Sequence, residues 1–321
     1  MQAITFTGYK QTEIIEIPRP ALRDPSDAIV LVTTTAISPW DIQAFLSTNR
    51  SEFTPGGEFA GIVVETGEAV SRVEIDDLVV NTMQHISKNG TADLFGSNSL
   101  PGGHAEYVRV PHADRSLVKI AASGEERAVL AGGTAALGAG VAEMALKYAQ
   151  HGSYAIIGCD PIGMTALIAL KAAGARNRTI AIEDHLERRK LATGFSARTF
   201  SSTECSSANE VDVIIIGSTT SGPGLDAIAN LIQPDGSVIF CEPNHPSRLR
   251  KSNITLPENI VVSHAKWPTE SEAKRIVTAM QIKKLDLTPI VSHVIPLDEA
   301  QEAYEAAAGP EPGVQKVLLK P

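Results

Sequence analysis

The segment from Tyr154 to Glu183 constrains the fold of this chain more than any other stretch. It begins with "YAIIG", continues through the apolar helical pattern "IGMTALIALKAAG" and ends with "TIAIE". Apolar strands that carry little alternation and are joined by helices are typical of a parallel sheet covered on both faces. The pattern continues with "VDVIIIG", "SVIFCE" and "NIVVSHA". The sequence therefore predicts an α/β fold with a doubly wound parallel sheet in its second half.

The turn "GCDPIG", residues 158–163, has the spacing of a dinucleotide-binding turn. Gly158 and Gly163 stand where glycine lets backbone N–H groups approach a pyrophosphate at a helix N-terminus. Glu183 follows at the end of the next strand, where a carboxylate binds a ribose 2′-hydroxyl and repels a 2′-phosphate. This pattern favours NAD(H) over NADP(H). The other residues predicted at the cofactor site are Asp160, Pro161, Ile162 and Gly217.

Asp160 occupies the middle position of this turn, where glycine is usual. Its side chain needs room where backbone normally approaches phosphate, and its charge there costs roughly 1 kcal/mol when solvated. In the other interpretation the turn is only architectural, and Asp160 caps the helix N-terminus, where an acid is favourable. The sequence leaves both interpretations open.

The first part of the chain carries β-sheet signals, including "AIVLVTTTAI", "FAGIVVETG" and "AEYVRV". From Gly124 the character changes to an alanine-rich run with helical spacing that ends at Gly152. We place domain boundaries after residues 123 and 266, which gives the segments 1–123, 124–266 and 267–321.

Composition and charge narrow the classes of partner and compartment. The net charge of −9 argues against nucleic acid and anionic membrane surfaces. No apolar run approaches the roughly 18 residues of a membrane span, and the start, "MQAITFTGYKQTEIIEI", lacks the regions of a signal peptide. We therefore expect a cytoplasmic protein. Its three cysteines are scattered and indicate neither a metal cluster nor a disulfide framework.

Three segments resemble the medium-chain dehydrogenase/reductase superfamily, the zinc alcohol dehydrogenase and quinone oxidoreductase group. They are "GGHAEYVRVPHADRSLVKI", "IIGCDPIGMTALIALKAAGA" and "IPLDEAQEAYEAAAG" with the final "KVLLKP". The resemblance implies a GroES-like β-rich catalytic domain made of both chain ends and a Rossmann domain inserted between them. It also implies a small-molecule substrate, an active cleft at the junction and a homodimer paired through "NIVVSHA".

The positions that hold zinc in such relatives carry other residues here. Ser38 in "AISPWD" stands at a cysteine position, Gly57 in "GGEFAG" at a histidine position, and Gly133 at the third ligand position. A catalytic zinc needs three protein ligands with N, S or O donor atoms. The four closely spaced cysteines of the structural-zinc lobe are absent as well. We therefore predict that the protein binds no zinc.

Four residues are candidates for zinc-free chemistry: Ser38, Trp40, Glu58 and His104. The Ser38 hydroxyl suits a hydrogen bond to a substrate carbonyl, and Trp40 suits an apolar wall of the pocket. Glu58 is either an acid or base or a salt-bridged structural residue, and His104 lies in the glycine-rich "PGGHAEY". Two alignments differ on whether Thr134 or Leu137 lies near the nicotinamide.

Three functions remain open from sequence. The favoured one is a zinc-independent, NAD(H)-dependent oxidoreductase that acts on a small carbonyl, enone or quinone by hydride transfer. The second is a non-redox biosynthetic enzyme, a cyclase, isomerase or dehydratase, which reuses the same cleft for proton transfer. The third is a non-catalytic binding or regulatory homologue, because fold alone does not decide function.

Overall fold

The structure is a computed structural model that describes residues 1–48, 53–86, 92–121, 124–217, 231–243, 259–309 and 313–321. Within these ranges seventeen strands, β1 to β17, follow one another in chain order: Gln2–Gly8, Gln11–Glu16, Ala28–Ala36, Glu58–Thr66, Leu78–Asn81, Gln84–Ile86, Ala92–Leu94, Tyr107–Val110, Leu117–Lys119, Tyr154–Ile157, Thr179–Ile182, Arg198–Phe200, Val211–Ile216, Ile232–Phe240, Val261–His264, Val291–Pro296 and Lys316–Lys320. The α-helices of the same ranges, α1 to α8, are Pro39–Phe45, Ala113–Ser116, Glu125–Ala128, Thr134–Tyr148, Pro161–Ala172, Leu186–Thr193, Glu270–Gln281 and Ala300–Ala308. None of these helices is long and apolar enough to cross a membrane.

The chain divides into two compact units. The first comprises Met1–Ala136, Pro268–Gln281 and Val291–Pro321, and the second comprises Leu137–Trp267 and Ile282–Ile290. The domain boundaries placed after residues 123 and 266 stay a sequence-based prediction.

The second unit is built on a six-stranded parallel sheet. Its strand order is β12-β11-β10-β13-β14-β15, so the chain reverses direction across the sheet between β10 and β13. This is the Rossmann order, in which ligands bind outside the carboxyl ends of the strands at the reversal point. Strand β10 is buried along its whole length, which explains its unbroken apolar sequence. The predicted doubly wound α/β fold is confirmed.

Strand β15, from the segment "NIVVSHA", lies at the edge of this sheet. Val261 and Val262 on this strand are 45% and 40% exposed. An exposed apolar edge strand can pair with another strand. The homodimer expected at this edge stays a prediction.

The first unit contains the β-rich core. A seven-stranded sheet follows the order β16-β17-β3-β4-β5-β9, with β8 also paired to β3. Strand β17 runs antiparallel to β3, with Leu318 opposite Ala36 and Leu319 opposite Thr35. Both ends of the chain therefore build one sheet, as the resemblance implied.

The alanine-rich run after Gly124 is interrupted, and the helical pattern predicted for it is wrong between α3 and α4. Gly132 and Gly133 lie in the break. A Cβ on Gly132 would collide with the carbonyl oxygen of Asn81, and one on Gly133 would collide with Glu58. The chain therefore needs two glycines where the helical pattern alone indicates continuity. The sequence also indicates a helix over "LDAIANLIQPDG", residues 225–236. Residues 225–230 lie outside the described residues, and the prediction is wrong from Ile232, where strand β14 begins.

Candidate functional site

Two of the positions aligned with zinc ligands, Gly57 and Gly133, face the Met83 side chain in the first unit. A Cβ on Gly57 would lie 2.8 Å from Met83 Cε, and one on Gly133 would collide with Met83 Sδ. Met83 itself is only 1% exposed. Its thioether side chain occupies the space into which side chains at these two positions would project. The residues present therefore do not fit a zinc ion, and no group of three or more His, Cys, Asp or Glu within the described ranges is arranged to hold a metal.

Ser38 is the N-cap of α1 and is buried. Its hydroxyl donates to Asp41 Oδ2 at 2.6 Å, and its Oγ accepts from the Asp41 backbone N–H at 3.2 Å. Asp41 Oδ1 accepts from the backbone N–H of Gly56 at 2.8 Å. This capping box uses the single hydroxyl proton of Ser38. A substrate carbonyl would reach that proton only by replacing Asp41 as its acceptor.

Glu58 forms a fully buried ion pair with Lys316. Lys316 Nζ lies 2.5 Å from Glu58 Oε2, and each side chain is 1% exposed. The Thr134 hydroxyl donates to Oε2 at 3.0 Å and accepts from Lys316 Nζ at 2.9 Å, while the Thr134 backbone N–H donates to Oε1. Both carboxylate oxygens therefore have partners, and the negative charge has a cation beside it. This is the arrangement expected if Glu58 is a salt-bridged structural residue.

Lys316 was not among the residues predicted from sequence. The one local signal is that Lys316 is the first residue of the otherwise apolar run "KVLL", whose four residues are all buried. A buried lysine almost always has a partner, but nothing in the strand indicates that the partner is Glu58.

His104 is fully buried against Tyr304. Nδ1 and the Tyr304 hydroxyl share a hydrogen bond of 2.9 Å, and Nε2 has no hydrogen-bond partner. Burial lowers the pKa of His104, although the Asp41 carboxylate and the Ala36 carbonyl act to raise it. Burial also raises the pKa of Tyr304 well above its usual value. Both side chains are therefore uncharged near neutral pH.

His104→Asn is expected to weaken the dependence of stability on pH below neutrality. Because the folded-state pKa of His104 lies below the ordinary value of about 6.5, the unfolded chain gains the proton first as pH falls. The wild type therefore loses stability from about pH 6.5 down through the lower folded-state pKa. Asparagine keeps a polar group toward Tyr304 but does not titrate. Urea unfolding at about pH 5 and pH 7.5 measures the difference, and equal losses in the two proteins would contradict this role.

The turn between β10 and α5 has the backbone geometry of a dinucleotide turn. Gly158 has a φ of +85°, a conformation that favours glycine. A Cβ on Gly163 or on Gly217 would collide with the carbonyl oxygen of Gly158. The three glycines predicted for the cofactor site therefore meet at the carboxyl ends of β10 and β13, where the sheet order reverses.

Asp160 is the N-cap of α5 and turns its carboxylate onto the helix. Oδ1 accepts from the backbone N–H groups of Ile162 and Gly163, at 3.0 Å each. Oδ2 lies 2.8 Å from the position that a Cβ on Gly217 would take. The carboxylate is therefore bound to amides at the end of a helix that attracts phosphate in a dinucleotide turn. Of the two interpretations left open by sequence, the capping geometry is present.

Glu183 also binds backbone groups. Oε2 accepts from the N–H of Cys159 at 2.7 Å, and Oε1 accepts from the N–H of His185 at 2.9 Å. The side chain is 1% exposed. Glu183 thus connects the turn after β10 to the turn after β11. The carboxylate that was predicted to bind a ribose hydroxyl is hydrogen-bonded to these two backbone N–H groups.

The predicted residues fall into two groups, one in each unit. Ser38, Glu58 and His104 belong to the first unit together with Trp40, which is partly buried in α1. Thr134 belongs to the Glu58 cluster, whereas Leu137 is a buried residue of α4. The cofactor residues belong to the second unit. Which of Thr134 and Leu137 lies near a nicotinamide stays open.

Residues 24–122 match the model of the alcohol dehydrogenase GroES-like domain. Zinc-type alcohol dehydrogenase B of Aspergillus flavus is 25% identical, over an alignment that covers 100% of this chain and 81% of that protein. The solved structure of alcohol dehydrogenase TADH from Thermus sp. ATN1 shares 23% identity at a TM-score of 0.81, covering 100% of this chain and 99% of that one. Together these matches indicate the medium-chain dehydrogenase/reductase superfamily.

A further solved structure has a similar fold over the whole length of this chain. The short chain alcohol dehydrogenase from Escherichia coli CFT073, solved in complex with NADH, has a TM-score of 0.82 at 17% identity and covers 100% of this chain and 99% of that one. At such identities the likeness establishes the fold, and the predicted GroES-like and Rossmann architecture is confirmed. The similar curated proteins are named as dehydrogenases, and the chain is accordingly an oxidoreductase.

Proposed function

We propose that the protein is a zinc-independent oxidoreductase that uses NAD(H) to transfer hydride to or from a small carbonyl, enone or quinone. The observation that carries zinc independence is the Met83 side chain, packed against Gly57 and Gly133 at the aligned ligand positions. Glu58, the acid that remains there, already has Lys316 as its counter-ion. Redox chemistry is supported by the dehydrogenase relatives.

The backbone of the turn after β10 suits a nicotinamide dinucleotide, whereas the Asp160 side chain opposes its binding. Gly158 has a positive φ, and Gly163 and Gly217 let the chain pack against the Gly158 carbonyl oxygen, so the turn has the backbone form of a dinucleotide turn. A bound dinucleotide would supply the hydride donor or acceptor. Asp160 must release the N–H groups of Ile162 and Gly163 before a pyrophosphate can bind them. The acid at Glu183 supports NAD(H) over NADP(H).

The proposed substrate class follows from the donors that remain without a metal. The Ser38 hydroxyl is the proposed hydrogen-bond donor to a substrate carbonyl oxygen, and Asp41 positions it. A single neutral donor stabilises developing negative charge less than a metal ion does. Enones and quinones suit this arrangement because conjugation delocalises the charge that hydride addition creates.

One observation favours the second candidate, a non-redox enzyme. The Asp160 carboxylate already occupies two N–H groups at the start of α5 and places a negative charge beside the phosphate site. If this site stays closed, proton transfer at Ser38, Glu58 or His104 is the chemistry left to the first unit. Such an enzyme would not consume NADH.

Calorimetric titration of the purified protein with NADH and with NADPH tests the proposal. We expect NADH to bind more tightly than NADPH, and we expect reduction of enones or quinones to be unchanged after EDTA treatment. Activity that is lost with EDTA and restored by zinc would contradict metal independence. Absence of binding and of turnover with either dinucleotide would contradict the redox function and favour the second candidate.

A further inference from the structure

A cavity of about 740 Å³ in the first unit is lined by none of the residues assigned to the sites above. Its apolar wall comes from β2 and the segment after it, from β8 and from the stretch before β4. The apolar side chains on this wall include Ile15, Ile17, Pro18, Phe53 and Val108. Cavities of about 300 to 1,000 Å³ with mostly apolar walls hold small organic ligands.

The charge of the lining is unusual for this chain. Three arginines line the cavity, Arg19, Arg23 and Arg109, and no Asp or Glu is among the described lining residues. The chain as a whole carries a net charge of −9. A basic lining in an acidic protein indicates a ligand of negative charge.

Two of these arginines are held in place by carboxylates outside the lining. Arg19 pairs with Glu65 at 2.6 Å and lies 4.5 Å from the centre of the Tyr107 ring. Arg109 pairs with the buried Asp27 at 2.9 Å. Arg19 and Arg109 therefore contribute a fixed shape to the cavity wall, but their positive charges are compensated by these carboxylates.

Arg23 differs from both. Its backbone N–H donates to Asp27 Oδ2 at 2.9 Å, which anchors the residue at the cavity. Its guanidinium makes no hydrogen bond or ion pair with any part of the chain that the structure describes. A guanidinium offers two parallel N–H donors that match the two oxygens of a carboxylate. The cavity thus combines an apolar wall with one uncompensated, carboxylate-binding cation.

We propose that this cavity binds a small amphipathic carboxylate. The carboxylate pairs with Arg23, and the apolar body packs against Ile17, Phe53 and Val108. The neutral polar residues Thr54 and Asn98 also line the cavity and supply hydrogen-bonding groups near its wall. This site is independent of the proposed redox function, because its lining shares no residue with the cofactor turn or with the Glu58 cluster.

Naphthoate and its neutral analogue naphthamide, titrated by calorimetry, test the site. We expect Arg23→Gln to weaken naphthoate binding about fivefold, the effect of one solvent-accessible ion pair, and to leave naphthamide binding unchanged. Arg72→Gln is the matched control, because Arg72 is a 63% exposed arginine of the same unit outside this cavity. It should change neither affinity.

A second variant locates the ligand. Ala21 is an exposed residue of the lining, so Ala21→Trp should fill part of the cavity without disturbing the core. Both ligands should then lose affinity, while the urea unfolding midpoint stays that of the wild type. The proposal is overturned if wild type binds no naphthoate, if Arg23→Gln changes both ligands equally or neither, or if Ala21→Trp leaves naphthoate binding intact.

Discussion

Asp160→Gly is expected to increase the affinity for NADH by at least about tenfold. The substitution frees the N–H groups of Ile162 and Gly163 for the pyrophosphate and removes a negative charge beside it. The charge alone contributes roughly 1 kcal/mol when solvated and more when buried, and about 1.4 kcal/mol corresponds to a factor of ten. Calorimetric titration of wild type and variant under one salt condition measures the change.

Asp160→Asn is the matched control for this effect. Asparagine keeps an oxygen that can accept from the same two N–H groups but carries no charge. An intermediate gain in affinity would divide the effect between charge repulsion and occupation of the amides. Wild-type affinity in both variants would show that Asp160 does not limit dinucleotide binding.

Lys316→Met is expected to lower the free energy of unfolding by about 3–5 kcal/mol. The variant leaves the Glu58 carboxylate buried without its counter-ion, since Glu58 is 1% exposed and Lys316 Nζ is its cation at 2.5 Å. Urea unfolding followed by circular dichroism measures the loss. Stability within about 1 kcal/mol of wild type would show that Glu58 is compensated in some other way.

The double variant Glu58→Gln with Lys316→Met separates the buried charge from simple loss of packing. Glutamine keeps acceptors for Thr134 but removes the charge that Lys316 compensates. We expect the double variant to recover a large part of the stability lost in Lys316→Met, giving a coupling energy of about 1–3 kcal/mol. A double variant as unstable as the sum of the two single variants would contradict a direct interaction.

The parallel sheet could be predicted because its signal is local. Strand β10 and the strands beside it consist mainly of apolar residues, and helical segments separate them. The break at Gly132 and Gly133 could not be predicted in the same way. Those glycines are required by Asn81 and Glu58, which are distant in sequence, so no local pattern reports the contact.

The residue types at the candidate positions can be read from the sequence, but the contacts of their side chains cannot. The absence of ligand side chains at residues 38, 57 and 133 is visible in the sequence, but the Met83 side chain that fills the space is not. The Glu58–Lys316 pair joins residues 258 positions apart, so only the folded chain brings it together. For Asp160, the sequence allows either a helix cap or an unfavourable charge in a phosphate site. The structure shows the cap, because the carboxylate accepts from the backbone N–H groups of Ile162 and Gly163.

The pairing of β17 with β3 affects how the protein is made on the ribosome. Domains generally fold as units during synthesis, in the order in which they emerge. All six strands of the second unit, β10 to β15, precede β17 in the chain, so this sheet can form before β17 is translated. Until then, Thr35 and Ala36 of β3 lack their partners on β17, and Glu58 lacks its lysine. Nascent chains therefore expose this part of β3 to chaperones or to aggregation until the last strand arrives.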